Sequence, residues 1–258
     1  MSGAARFLEF SVVTPNILDS LGFYKLLGFT ELKTGDAYDH KYAVVSDGDI
    51  NIGLFDREMT TPQLTFVQPD LARHARSMAD HGFEFTRLAL EEDQFNELEL
   101  TDHDRNSLRL VEARTFFPSA EEESPSVCGE CFEVSLPVRD TMRAARFWAP
   151  LLPNVLELRE EPTTHLRFDS GSVPLGLSES IALEAPALSF RCLDRSALDT
   201  VVDQIGLVPD DFPGFEGAFL RLVAPEGTAL YVFEEDFLGA AYEVEEGGDP
   251  AAFNAVSP

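Results

Sequence analysis

Leu8–Phe29 reads LEFSVVTPNILDSLGFYKLLGF, and Phe132–Pro153 reads FEVSLPVRDTMRAARFWAPLLP. Glu9, Ser11, Phe23 and Leu27 of the first stretch return as Glu133, Ser135, Phe147 and Leu151 of the second, each 124 positions on. Both stretches open with apolar–polar alternation, the pattern of a half-buried strand. Both then pass through a capping residue, Asn16 or Asp140, into an amphipathic helical pattern with an aromatic pair, Phe23-Tyr24 or Phe147-Trp148. One offset held across a strand and a helix marks an internal duplication.

A second pair of stretches keeps the same offset. QLTFVQPD from Gln63 and ALSFRCLD from Ala187 alternate as strands. Asp70 and Asp194 are placed to cap the helices that follow, and Gly82 and Gly206 to end them in the left-handed region. Short alternating segments come after each helix, such as YAVVSD and INIGLFD, SLRLVEA, THLRFDS, and AFLRLVA with ALYVFEE. The pattern predicts an α+β fold of four βαβββ modules in two tandem domains. The boundaries are read as 6–113 for the first domain, 114–130 for a linker rich in Pro, Ser and Glu, 131–236 for the second domain, and 237–258 for an acidic tail.

Charge restricts the partners. The 258 residues carry 46 acidic side chains against 19 Lys+Arg, a net −27. Such a field repels phosphate backbones and anionic membranes, so neither nucleic acid nor membrane is an expected partner. It permits a cationic small-molecule ligand, and it equally serves as a solvated surface. No apolar run reaches the roughly 18 residues of a membrane span. MSGAARFLEF lacks the pattern of a signal peptide, so the expectation is a cytoplasmic protein. The three cysteines make no disulfide framework, and Cys128-Gly-Glu-Cys131 has no second pair to complete a zinc site; they are read as spare thiols.

Four βαβββ modules in two pairs, the Asn16…Phe23-Tyr24-Lys-Leu-Leu-Gly28-Phe29 helix, and the turn and strand APEGTALYV resemble the vicinal oxygen chelate superfamily. That superfamily includes glyoxalases, bleomycin resistance proteins and extradiol dioxygenases. The resemblance implies that each domain is a pair of curled mixed sheets enclosing a cleft. It also implies metal ligands, usually His, Gln or Glu, on the first and last strands of the modules. Carried onto this sequence, the positions are Glu9, Gly53, Gln63 and Arg109 in the first half, and Glu133, Gly176, Ala187 and Tyr231 in the second.

A divalent ion needs three or four converging lone-pair donors. Arg109 is a permanent cation, the glycines and Ala187 donate nothing, and Tyr231 is a poor ligand. Neither metal nor cofactor is therefore expected, and Glu9, Gln63, Arg109, Glu133 and Tyr231 become ligand-binding candidates. With the family's register, Arg109 is expected to stand where the cation would sit and hold Glu9 ionised, with Gln63 beside it. In the second half, Tyr231 is expected to offer Glu133 a neutral hydrogen bond. His40, His74, His81, His103 and His165 are read as structural or solvent-facing.

No phosphate loop or nucleophile elbow is present, so no catalytic residue is assigned. The leading reading is a metal-free binder that sequesters a drug or metabolite in a cleft. The alternative is a metal-dependent enzyme of the same superfamily: a lyase resembling lactoylglutathione lyase, an isomerase or a dioxygenase. A third is an interaction protein whose cleft has lost its function.

Overall fold

The computed structural model describes residues 5–35, 40–91, 95–117, 125–160, 163–180, 183–192, 194–206 and 219–234. Residues 118–124 of the expected linker and the whole expected acidic tail lie outside the described residues. The first half runs β1 (Arg6–Val13), α1 (Ile17–Leu26), β2 (Thr30–Leu32), β3 (Tyr42–Ser46), β4 (Asn51–Phe55), β5 (Gln63–Val67), α2 (Leu71–Asp80), β6 (Arg87–Ala89), β7 (Glu97–Thr101) and β8 (Ser107–Val111). The second half runs β9 (Glu130–Pro137), α3 (Thr141–Trp148), β10 (Val155–Arg159), β11 (His165–Phe168), β12 (Leu175–Ser178), β13 (Ala187–Cys192), α4 (Arg195–Ile205), β14 (Phe219–Val223) and β15 (Ala229–Glu234).

Within each half the two modules join through their first strands into one open mixed sheet. The orders are β2-β3-β4-β1-β5-β8-β7-β6 and β10-β11-β12-β9-β13-β15-β14. β1 pairs antiparallel with β5, and β9 likewise with β13. Glu9 and Glu133 therefore occupy equivalent central strands, each beside a short hydroxyl residue, Thr65 or Ser189.

Local sequence explains the helices. Asn16, Asp140 and Asp194 accept hydrogen bonds from the amides of Leu18, Arg143 and Ala197, satisfying orphan donors of the first turn. Asp70 departs from expectation. Its backbone lies in the left-handed region at φ 56° rather than the extended one an N-cap uses, and its carboxylate pairs with Arg73 at 2.8 Å instead.

Alternation gives each sheet two unlike faces. Phe10, Ile52, Leu64, Phe66, Leu108 and Leu110 of the first sheet share one apolar core with Val134, Leu136, Leu188, Phe190, Leu230 and Val232 of the second, and with Tyr24, Met78, Trp148 and Leu198 of the helices. Burying Leu108 and Leu110 there fixes the register of β8, because neighbouring residues point to opposite faces. Arg109 is thereby committed to the helix-free face.

Reciprocal contacts join the halves. Tyr24 on α1 donates its hydroxyl to Glu226 at 2.6 Å, and Trp148 on α3 donates its indole N–H to Asp102 at 3.2 Å. Burial first, and then the Glu226 carboxylate, push the Tyr24 pKa well up, so the hydroxyl stays a donor.

Candidate functional site

The helix-free face of the first sheet holds Glu9 at its centre, 1% exposed. Ser11 donates to Glu9 Oε1 at 2.7 Å and Tyr42 to Oε2 at 2.5 Å. Gly53 leaves room for this carboxylate: a Cβ there would lie 2.7 Å from its atoms. Burial raises the pKa of Glu9, opposed by the Tyr42 and Ser11 hydrogen bonds and then by the charges of Arg109 and Arg57.

Arg109 is fully buried on this face, but its hydrogen bonds go to Glu97 rather than Glu9. The reason lies in the sheet. β8 pairs antiparallel with β7, which brings acidic side chains beside Arg109 from a strand nearer than β1. Glu97 also receives Arg87 at 2.9 Å. Gln63 does not join Glu9 either; its Nε2 donates to Ser107 at 3.0 Å, and its buried Oε1 has no partner among the described residues. Leu8, Leu32, Val44, Val111 and Phe116 close the face as a small second core.

The second sheet repeats the plan with other chemistry. Glu133 Oε1 accepts from Ser135 at 2.5 Å, and Oε2 accepts from His165 at 2.9 Å. Arg167 Nε lies 3.1 Å from the same Oε2. Gly176 is the close-approach position, where a Cβ would lie 2.2 Å from the carboxylate carbon. The ring of Tyr231, the expected partner of Glu133, packs instead 6.2 Å from that of Phe219. The expected contrast is therefore reversed. The neutral hydroxyl partner, Tyr42, serves Glu9, and the cation, Arg167, serves Glu133.

His165 and Arg167 are the residues that sequence reasoning missed. Opposite Gly53 stands Val44, and opposite Gly176 stands Arg167; two residues earlier come Tyr42 and His165. Matching these strands through their glycines, 123 positions apart, makes Tyr42 and His165 counterparts. The signal was the alternation His165-Leu-Arg-Phe168, which puts His165 and Arg167 on the face opposite Leu166 and Phe168.

The metal that the family resemblance implies does not fit these donors. In the second half the corresponding positions supply Glu133, already held by three side chains, with Ala187, Gly176 and Tyr231. In the first they supply Glu9, Gln63, a glycine and an arginine paired to Glu97. Among the described residues no three His, Cys, Asp or Glu side chains converge as a metal site. The thiols give no alternative centre: Cys128, Cys131 and Cys192 are buried, and burial raises the pKa of each.

No protein-family model and no curated protein matches the sequence. Solved structures do match the fold. A catechol 2,3-dioxygenase aligns with TM-score 0.55 and 13% identity, over 91% of this chain and 89% of its own. An extradiol ring-cleaving dioxygenase from B. fuscum aligns with TM-score 0.61 and 14% identity, over 90% and 72%. The 2,2',3-trihydroxybiphenyl 1,2-dioxygenase of Sphingomonas wittichii strain RW1 aligns with TM-score 0.56 and 14% identity, over 90% and 91%. Together with the duplicated βαβββ modules, these likenesses show that the chain has the tandem two-domain fold seen in these dioxygenase structures.

Proposed function

We propose that the chain binds an aromatic small molecule on the helix-free face of its second sheet, without a metal. The observation that carries this reading is the state of Glu133: both its oxygens are committed, to Ser135, His165 and Arg167. A guanidinium supplies the positive charge that a ligated ion would otherwise bring to this carboxylate. The first sheet is a poor candidate, because Glu9, Gln63 and Arg109 are all at most 1% exposed beneath its second core. Phe132, Phe219, Tyr231 and Phe233 of the second half are only half-buried.

The neighbours named above are ring-cleaving dioxygenases, which favours an aromatic ligand over the drug-sequestering or glyoxalase-like readings. They favour a metal-dependent ring-cleaving enzyme, the second reading, over a metal-free binder, and it is the donor set that stands against it. A cytoplasmic setting without nucleic-acid or membrane partners belongs to the same proposal. It is supported by the charge balance; among the described residues no helix is long and apolar enough to cross a membrane.

Thermal-shift titration of chelator-treated protein separates these readings, since a ligand specific for the folded state raises the melting point. Aromatic ring compounds are expected to raise it, and Phe233→Ala to remove the effect. Ring opening of catechol on addition of Fe(II) or Mn(II) would establish the metal-dependent enzyme instead.

A further inference from the structure

We propose that the ligand of the second sheet carries an anionic group on its aromatic body, as an aromatic carboxylate does, and that Arg191 and Arg221 receive it. The inference rests on the reading of this face as the ligand site. It begins with charge. The strands put Arg159, Arg167, Arg191 and Arg221 on the helix-free face, against Glu130, Glu133 and Glu157. In a chain with 46 acidic residues and 19 Lys+Arg, this one face inverts the balance.

Each of the three glutamates already has an arginine: Glu130 has Arg191 at 3.5 Å, Glu133 has Arg167 at 3.1 Å, and Glu157 has Arg167 at 3.5 Å. A cationic ligand would have to displace one of them. Arg191 is the arginine most easily recruited. Its contact with Glu130 is long, and the two side chains are 35% and 58% exposed, so water competes for both. Its guanidinium lies over the Phe132 ring, 5.8 Å from the centroid, which holds the cation against an aromatic surface.

From Phe132 the rings continue as a wall. Phe132 and Phe233 are 6.1 Å apart, Phe233 and Phe219 5.3 Å, and Phe219 and Tyr231 6.2 Å. Arg221 lies directly across the ladder from Tyr231, on the same face. Half-exposed rings in a row are unusual on a plain surface and suit a flat apolar partner. Arg191 and Arg221 flank these rings from β13 and β14, the strands on either side of β15, and a guanidinium suits a planar, bidentate anion such as a carboxylate.

Calorimetric titration of the full chain tests this with three probes: 2-naphthoate, neutral 2-naphthamide and cationic 2-naphthylmethylammonium. Naphthoate is expected to bind at least roughly tenfold more tightly than the other two, the scale of one charge-assisted contact. Arg191→Met and Arg221→Met should each weaken naphthoate by roughly that factor, leave naphthamide within about twofold, and melt like the parent. Equal binding of naphthoate and naphthamide, both lost in Phe233→Ala, would keep the site and overturn the anionic class, as would preference for the cation. Absence of binding by all three probes, or binding indifferent to Arg191→Met and Phe233→Ala, would overturn the site itself and this inference with it.

Discussion

Tyr24 and Glu226 belong to opposite halves of the chain, yet the phenol hydroxyl donates to the carboxylate at 2.6 Å. The contact has a counterpart 124 positions on. Trp148 replaces Tyr24, and Asp102 precedes Glu226 by the same interval, with the indole donating at 3.2 Å. Each acid lies in the turn before the last strand of its own half. Each aromatic donor comes from the first helix of the other half. The duplication therefore built a reciprocal joint as well as two similar sheets.

Tyr24→Phe removes one hydrogen bond to a charged acceptor and leaves Glu226 with Ser20 and Thr228. Denaturant unfolding is expected to show a loss of about 1–3 kcal/mol. A loss within about 0.5 kcal/mol, the range of surface substitutions, would mean the joint contributes no stability.

Arg109→Met breaks a buried pair and strands Glu97, 5% exposed, with only the half-exposed Arg87. The expected cost is about 3–5 kcal/mol. A double-mutant cycle identifies the partner: coupling of Arg109 to Glu97 should exceed its coupling to Glu9. The opposite order would restore the pairing expected from sequence.

Asp47 should make stability depend on pH. Burial raises its pKa from 3.8 to about 6. A raised carboxylate pKa means the fold prefers the protonated form, so its contribution is complete below pH 4 and is lost as pH rises through about 6. Asp47→Asn keeps the Oδ1 that accepts from the Asp49 and Ile50 amides and carries no charge. Its stability relative to the parent should climb between pH 4 and pH 7 by at most about 3 kcal/mol. A difference flat with pH would show that Asp47 is not titrating in the fold.

The sequence made the modules legible because their markers are local. Alternation, three of four caps, and Gly28, Gly82 and Gly206 at positive φ all depend on residues near one another in the chain. The alternation of β8 was legible too, although a one-residue slip stayed open until Leu108 and Leu110 were placed in the core. The pairings on the helix-free faces were not. Arg109 chose between Glu9 and Glu97 by which strand lay nearer, and no local pattern encodes that. His165 lay hidden because a lone histidine in a strand carries no signal until Gly176 shows that Glu133 leans toward it. Asp70 misled because a capping residue type does not fix the backbone angle that capping requires.

On the proposed reading, Arg167 and His165 do for Glu133 what a metal would do. The most direct measurement is anaerobic calorimetric titration of chelator-treated protein with Fe(II), beside Glu133→Gln. No stoichiometric binding to either is expected. Uptake of one equivalent by the parent, abolished in Glu133→Gln, would contradict it.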